Sequence, residues 1–420
     1  MSKDDLIILF DGNCQSHHLS AVFDATGVAD CYTIGRDRGF IPSFRGVLTK
    51  YVEDDHAHAF VEQAKKSGKS VVQASQSSPM AAEKLHSFSS QLDGIVRFPH
   101  LQCLAYKPED TGIKVDGPEQ LKRLYDLDLK IIERCQVRAG SQVDFAGLVR
   151  ERQVHAPMFH MTLHAGALIT ALLVKDLARQ LGDSATETVS EAAGEIERTE
   201  GINFVTHHPL DDRVLSTLGF QWEGYDDYRK LILSMKSNEF EFVLNNEDKL
   251  KQRFGHETIF WQAMMRARTI SGDFVGAFEA SDVLQRRCPG SVMTWFDRVD
   301  CERKAGATVE RIDEILETAE AVFNGSRQFL HLRALVKLRL GRADDSLQDA
   351  EAYFRSADEL FDSIKPMLRT LLALGRVEEA KQALSDRAAA IQMTERRRLA
   401  SAIRDLPQLA SAADEICRAA

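Results

Sequence analysis

Apolar residues follow two different spacings along the first half of the chain. Five consecutive apolar residues at positions 6–10 are typical of a strand that is buried on both faces, as the strands of parallel sheets are. Further strands are predicted over residues 31–34, 70–75, 94–98 and 202–206. Segments with helical spacing separate them and predict helices near residues 54–66, 80–91, 119–138, 159–181 and 186–199. This alternation predicts βαβ units and an α/β domain with a mostly parallel sheet and flanking helices.

The second half of the chain has no strand pattern from about residue 238 onward, and its apolar residues recur at helical spacing. Four glycines are in phase, at intervals of 34, 35 and 34 residues: Gly272, Gly306, Gly341 and Gly375. A period of about 34 residues, with a glycine turn between helices, resembles tetratricopeptide repeats. We expect Gly341 and Gly375 to lie in tight turns between helices, where a β-carbon would crowd the packing.

These patterns divide the chain into an α/β domain over residues 1–237 and an all-α, tetratricopeptide-like solenoid over residues 238–420. Helix pairs of this kind stack so that each buries its apolar stripe against its neighbours, and the concave face usually binds a peptide or a protein. We therefore expect the solenoid to bind a protein partner or a second copy of the chain.

Composition narrows the classes of function. The formal net charge of −10 and the pI near 5.8 argue against nucleic acid or an anionic membrane as a partner. The seven cysteines include no Cys-x-x-Cys pair, which favours a reducing cytoplasm. The longest uncharged apolar stretch, residues 165–174, is about half the length of a membrane span.

His160 and His164 are four residues apart on a predicted helix without a third ligand, so we expect no metal.

Cys14 stands where the first predicted strand gives way, through Gly12, to a helical pattern. Ligands of open α/β sheets bind at the carboxyl ends of the strands, and a helix N-terminus stabilises a reactive thiolate. The alternative is that Cys14 is a small buried hydrophobe, as most free cysteines are. Its polar neighbours Asn13 and Gln15 favour the functional interpretation.

A histidine pair follows the last predicted strand, 202–206, at the same edge of the sheet. His207 or His208 is therefore a candidate base for the Cys14 thiol, which needs an imidazole to accept its proton. The alternative is that both histidines are ordinary polar surface residues.

Two further groups of residues are candidates for binding. Gln76 ends the third predicted strand and, with Asn13, Gln15 and backbone amides, is a candidate donor to an oxyanion. Three arginines among glycines follow the second strand and are candidates for binding cofactor phosphates: Arg36, Arg38 and Arg45. A solvated loop is the competing interpretation for the arginines, and ordinary loop chemistry is the competing one for Gln76.

Four motifs, in this order, resemble the WcbI-type polysaccharide biosynthesis proteins over roughly residues 5–220. They are Gly12-Asn13-Cys14-Gln15, the strand leading to Gln76, Val96-Arg97-Phe98-Pro99 with Tyr106-Lys107-Pro108-Glu109, and Phe204-Val205-Thr206-His207-His208-Pro209. Two departures stand out. His207 occupies the place where that family commonly has asparagine, and Tyr-Lys-Pro-Glu replaces the more usual Tyr-His-Pro-Asp.

The resemblance implies a three-layer, Rossmann-like or SGNH-like domain that binds coenzyme A. It also implies the activity, an O-acetyltransferase that takes the acyl group from acetyl-coenzyme A and places it on a sugar hydroxyl in capsular or other surface polysaccharide biosynthesis. Carried over residue by residue, Cys14 and His208 are the functional candidates, with Gln15 and Gln76 in support.

Three alternatives stay open from the sequence. In a direct-transfer variant, His208 deprotonates the sugar and Cys14 only lines the site. In an esterase resembling the SGNH hydrolases, Cys14 replaces the usual serine, water replaces the sugar and no coenzyme binds. In a non-catalytic scaffold, the repeats carry the function.

Overall fold

The computed structural model describes residues 5–35, 41–77, 86–106, 108, 113–155, 158–161, 164–198, 212–323, 326–357 and 363–419. The chain divides into two compact units, and the division falls between Pro289 and Gly290. No helix in the described ranges is long and apolar enough to cross a membrane.

The described secondary structure comprises nine strands and twenty helices. The strands are β1 (Leu6–Asp11), β2 (Asp30–Ile34), β3 (Ser43–Phe44), β4 (Val47–Leu48), β5 (Tyr51–Val52), β6 (Ser70–Ser77), β7 (Gly94–Pro99), β8 (Phe159–Met161) and β9 (His164–Ala165). The helices of the first unit are α1 (Cys14–Thr26), α2 (Ala57–Lys66), α3 (Pro118–Ala139), α4 (Phe145–Arg152), α5 (Ala167–Leu181), α6 (Asp183–Arg198), α7 (Asp212–Leu218), α8 (Tyr225–Ser237), α9 (Glu241–Asn245), α10 (Glu247–Phe254), α11 (Thr258–Ser271) and α12 (Phe274–Arg287). Those of the second are α13 (Val292–Lys304), α14 (Val309–Phe323), α15 (Arg327–Arg339), α16 (Ala343–Ser356), α17 (Lys365–Ala373), α18 (Val377–Ala390), α19 (Met393–Ala402) and α20 (Ala410–Ala419).

Five parallel strands form the central sheet of the first unit, in the order β5-β2-β1-β6-β7. The prediction of an N-terminal parallel sheet with helices is confirmed, and four predicted strands lie within two residues of the observed ones. The fifth predicted strand, 202–206, lies outside the described residues.

Strand β1 is buried on both faces, as its run of apolar residues predicted. Ile8 and Phe10 pack into the core on the face covered by α1, α3 and α5, whereas Ile7 and Leu9 pack with Val61 of α2 on the opposite face. Helices on both faces leave no side of β1 to water, which is why a polar residue appears only at its end.

The sheet order creates a switch point beside β1. From β1 the chain passes through α1 to β2 on one side, and it returns through α2, on the other face, to β6 on the opposite side of β1. The connections that leave β1 and β6 therefore diverge at their carboxyl ends. Ligands of open α/β sheets bind in the crevice that such a divergence opens.

Three expectations for the first unit need correction. Residues 159–161 and 164–165 form antiparallel strands β8 and β9, so His160 and His164 do not share a helix. The predicted helix 159–181 begins only at residue 167, after Gly166 in an extended conformation. Within the predicted helix 80–91, the described residues 86–91 end in a single 3-10 turn.

The predicted domain boundary after residue 237 falls inside the first unit. Leu231 and Ile232 of α8 are buried in one apolar cluster with Leu250, Phe254 and Phe260 of α10 and α11. A run of aromatic rings extends from the α/β core into this cluster: Phe220, Trp222, Tyr225, Tyr228 and Phe254, with successive centroids 5.3 to 6.4 Å apart. These helices complete the first unit's packing.

The second unit is entirely helical over its described residues. Consecutive helices from α13 to α18 pack on one another, as do α19 and α20, and the core of the unit includes Leu368, Leu371, Leu384 and Leu399.

Each of the four phased glycines lies between two consecutive helices, with a φ between 72° and 86°. A β-carbon at any of them would meet no heavy atom of the described residues within 4 Å. The expectation that a β-carbon would crowd the packing is therefore wrong. Glycine is needed because the backbone is left-handed, a conformation that other L-residues adopt at a cost.

We predict that Gly375→Ala lowers the free energy of unfolding of the second unit by about 1–2 kcal/mol, because alanine at a φ of 72° is strained. Gly375→Asn should cost less, since asparagine tolerates this region. Urea unfolding followed by circular dichroism measures both. Equal losses for the two variants would contradict a conformational cause.

We also predict that a protein truncated after Pro289 unfolds cooperatively, whereas one truncated after Ser237 aggregates, because the latter exposes Leu231 and Ile232. Size-exclusion chromatography and thermal unfolding of the two proteins test this. If the shorter protein is monomeric and equally stable, the boundary predicted from the sequence is the better one.

Candidate active site

The loop after β1 is shaped by a close approach to β6. A β-carbon at Gly12 would lie 2.8 Å from Cβ of Gln76, so only glycine fits there without displacing that strand end. Asn13 then caps α1, because its Oδ1 accepts a hydrogen bond from the backbone N–H of Gln15 at 2.9 Å. This cap makes Cys14 the first residue of α1, half-buried at the carboxyl edge of the central strand.

Asn13, Gln15 and Gln76, which the sequence singled out, are in direct contact. The backbone N–H of Asn13 donates to Gln76 Oε1 at 3.1 Å, and Gln76 Nε2 donates to Asn13 Oδ1 at 3.0 Å and to Gln15 Oε1 at 2.6 Å. Gln15 Nε2 donates to the carbonyl of Leu101 at 2.7 Å. A bond to a backbone group fixes the orientation of each amide, and both hydrogens of Gln76 Nε2 have acceptors.

This network engages several side-chain donors that an oxyanion would also need. Both hydrogens of Gln76 Nε2 are engaged, and Gln15 points its amide at Leu101, beyond the end of β7. The arrangement fixes the position of the loop that carries Cys14. A role of these side chains as oxyanion donors stays a prediction.

His100, which the sequence analysis did not single out, joins the same network from the end of β7. Asn13 Nδ2 donates to His100 Nδ1 at 3.2 Å, so His100 Nε2 carries the proton and donates to Gln102 Oε1 at 2.9 Å. Burial lowers the pKa of His100, which favours this neutral form. With both nitrogens engaged, His100 positions Asn13.

Asp128 of α3 is a buried carboxyl next to this network. Its side chain is almost completely buried, and its Oδ2 accepts from the backbone N–H of Ala105 at 2.9 Å. Burial raises the pKa of Asp128 to about 7, although hydrogen bonds from Ala105, Leu104, Gln102 and Cys103 oppose the shift. Its Oδ1 has no hydrogen-bond partner among the described residues.

A second polar pair lies at the end of β1. Asp11 is the last residue of that strand, and its Oδ2 lies 3.0 Å from Nε2 of His86 and 3.5 Å from Nε2 of Gln73. The His86 side chain is only 7% exposed, and its ring is stacked on Phe88 with centroids 4.9 Å apart.

Of the remaining predicted site residues, the structure describes one, Arg45. His207, His208, Arg36 and Arg38 lie outside the described residues. Arg45 lies in the two-residue turn of the β3–β4 hairpin, with a φ of 50°. Its guanidinium forms ion pairs with two carboxylates of α6, Glu195 at 2.7 Å and Glu191 at 3.3 Å, so a phosphate would compete with both.

Within the described ranges, one group of side chains has the spacing of a metal site: Glu53, Asp55 and His56 at the start of α2. Asp55 and His56 are exposed, and His56 Nδ1 is 3.7 to 3.8 Å from the two carboxylates. These are the distances of ordinary surface ion pairs.

The sequence carried a signal for two of the four residues that the sequence analysis missed. His100 follows the end of β7, so the rule that selected Gln76, a polar residue at a strand end, would also have selected His100. Asp11 qualifies in the same way at the end of β1. For His86 and Asp128 the sequence offers no such signal.

No family model matches the sequence, and no curated protein is significantly similar to it. Among solved structures, a thermophilic tetratricopeptide-repeat protein of Thermus thermophilus is similar, with a TM-score of 0.30 and 18% sequence identity. The similarity covers 42% of this chain and 97% of that one. At that TM-score the likeness supports no statement about fold or function.

We predict that the Asp128 carboxyl makes the protein less stable as the pH rises. An acid whose pKa is higher in the folded protein binds more protons when folded. The free energy of unfolding therefore falls between about pH 4 and pH 7, by up to about 4 kcal/mol from this group. Asp128→Asn should remove that fall, whereas Asn replacing the exposed Asp126 on the same helix should leave it unchanged. Urea unfolding at pH 5 and pH 7.5 measures the difference, and an unchanged slope for Asp128→Asn would contradict the assignment.

Proposed function

We propose that the first unit is an acyltransferase that moves an acetyl group from acetyl-coenzyme A to a sugar hydroxyl in the biosynthesis of a capsular or other surface polysaccharide. The observation that supports an enzyme is the position of Cys14. Its thiol begins a capped helix at the carboxyl end of the central strand, beside the crevice between β1 and β6. The choice of coenzyme A and sugar rests on the sequence motifs.

The proposed reaction has two halves. His208 takes the proton of the Cys14 thiol, the thiolate attacks the thioester carbonyl, the tetrahedral intermediate collapses, and His208 returns the proton so that coenzyme A leaves as its thiol. The sugar hydroxyl then attacks the acyl-cysteine as His208 removes its proton, and His208 returns that proton to the departing Cys14 sulfur. His207 is the alternative for this role.

The geometry bears on how the transition state would be stabilised. The amide side chains of Asn13 and Gln15, on either side of Cys14 in the sequence, are bonded to Gln76, and so they hold the start of α1 in place. The N-terminal turn of α1 carries the partial positive charge of the helix dipole. That field would favour both a thiolate at Cys14 and the developing oxyanion.

For the helical region, residues 238–420, we propose a tetratricopeptide-like module that binds a protein partner or a second copy of the chain. Support comes from four phased glycines, each in a left-handed turn between consecutive helices. An acetyl-coenzyme A donor places the proposed reaction in the cytoplasm.

We predict that incubating the full chain with acetyl-coenzyme A adds the mass of one acetyl group to Cys14, as measured by peptide mass spectrometry. Cys14→Ala should lose the adduct and reduce turnover on the order of 10⁴-fold or more, as loss of a covalent nucleophile does. Cys135→Ala, which removes a buried thiol of α3, should keep both.

Other outcomes select the alternatives. If coenzyme A raises the melting temperature but Cys14→Ala keeps full turnover, transfer is direct and Cys14 only lines the site. If coenzyme A has no effect and the protein hydrolyses simple esters through Cys14, it is an esterase. If neither activity is found and the repeats bind a protein, the scaffold alternative holds.

A further inference from the structure

A line of hydrogen bonds runs from the buried carboxyl of Asp128 in α3 to the cap of α1. The Gln102 side chain donates to the Asp128 carboxylate, and Gln102 Oε1 accepts from His100 Nε2 at 2.9 Å. His100 Nδ1 then accepts from Asn13 Nδ2 at 3.2 Å, and Asn13 Oδ1 accepts from the backbone N–H of Gln15 at 2.9 Å. We call the four side chains of Asp128, Gln102, His100 and Asn13 the relay.

Every hydrogen bond in the relay points from α1 towards Asp128. An amide can turn over by rotation, and a neutral imidazole can carry its proton on either nitrogen, so the middle of the relay would also fit the reverse direction. The two ends exclude that reversal. The backbone N–H of Gln15 and the Nε2 of Gln76, 3.0 Å from Asn13 Oδ1, can only donate, whereas an ionised Asp128 can only accept.

Asp128 is the charged member of the relay at pH 8. Burial raises its pKa to about 7, so the carboxyl is ionised at that pH. Burial lowers the pKa of His100, which leaves the imidazole neutral. The neighbouring thiol of Cys103 and phenol of Tyr125 are also neutral, because burial raises the pKa of both.

The buried carboxylate costs the fold stability that an amide or an apolar side chain would not. Asp128 is 1% exposed, and its Oδ1 has no hydrogen-bond partner among the described residues. Residues that reduce stability in this way are expected where function requires them. A carboxylate that fixes the direction of the relay meets this expectation.

We propose that Asp128 is a positioning residue for Cys14: acting through Gln102 and His100, it holds the Asn13 amide in the orientation that caps α1. This inference rests on the proposed function, in which the Cys14 thiolate is the nucleophile. The cap orders the first turn of α1, and the field of that turn stabilises a thiolate at its first residue. With a donor in place of the carboxylate, the relay has donors at both ends, so one bond breaks or the Asn13 amide turns over.

The test measures two properties of the full chain at pH 8, where Asp128 is ionised. Nitrogen NMR of protein labelled at its histidines reports which ring nitrogen of His100 carries the proton, and His100→Gln identifies the signals by their loss. Peptide mass spectrometry follows the rate at which iodoacetamide alkylates Cys14, which is half-buried. The wild type should carry the His100 proton on Nε2.

Asp128→Asn should move the His100 proton partly or wholly to Nδ1 and slow the alkylation of Cys14 about three- to tenfold, as loss of a helix cap would. Its free energy of unfolding at pH 8 should not fall, because the buried charge is removed. Adding Gln102→Glu to Asp128→Asn returns a carboxylate acceptor to His100 Nε2 and should restore both properties. Asp126→Asn, which changes an exposed carboxyl of the same helix, should alter neither.

A second variant keeps the test decisive if Asp128→Asn does not fold. Gln102→Met removes both relay bonds of the Gln102 side chain and should slow alkylation by a similar factor. An unchanged His100 tautomer and an unchanged alkylation rate in a folded relay variant overturn the assignment. Failure of the double variant to restore the rate also overturns it, because the loss would then come from packing around Asp128.

The proposed function is judged separately, since neither measurement needs acetyl-coenzyme A. If Cys14 of the wild type forms the acetyl adduct but the relay variants leave alkylation unchanged, the acyltransferase proposal stands and the role of Asp128 falls. If the relay variants behave as expected but no adduct forms in the wild type, the role of Asp128 stands and the acyltransferase proposal falls.

Discussion

Gln76 joins the end of β6 to the start of α1, and the candidate site depends on this contact. Its amide accepts from the backbone of Asn13 and donates to the side chains of Asn13 and Gln15, while its Cβ leaves room only for a glycine at position 12. Because β1 is buried on both faces, the polar groups of the loop that follows it need hydrogen-bond partners on neighbouring strands. The same bonds that satisfy this requirement hold Cys14 at the helix N-terminus.

Polar groups around this loop fall into two classes. The amides of Asn13, Gln15 and Gln76 are matched to one another and to backbone, so they rigidify the loop. Asp128, by contrast, keeps an oxygen without a partner in the described part of the chain and has a pKa raised to about 7. A matched buried network stabilises the fold, whereas a buried carboxyl with an unmatched oxygen reduces stability once it ionises.

Local sequence patterns predicted the elements that depend on the burial or the backbone conformation of neighbouring residues. The run at residues 6–10 identified β1 because burial on both faces requires apolar residues throughout, and the 34-residue glycine period identified turns because a left-handed φ requires glycine. Helical spacing placed the start of α5 too early, since the apolar residues of β8 continue the same pattern. It also did not reveal that α8 to α11 share one core, because shared burial is a property of contacts rather than of spacing.

The sequence alone therefore determined the parallel sheet, the helix-rich second half, and the edge at which Cys14, Asn13 and Gln76 meet. Tertiary structure decided what those residues contact. The partners are distant along the chain, 63 residues for Asn13 and Gln76, 87 for Asn13 and His100, and 75 for Asp11 and His86. No local pattern encodes such pairs, because strand order and packing bring them together.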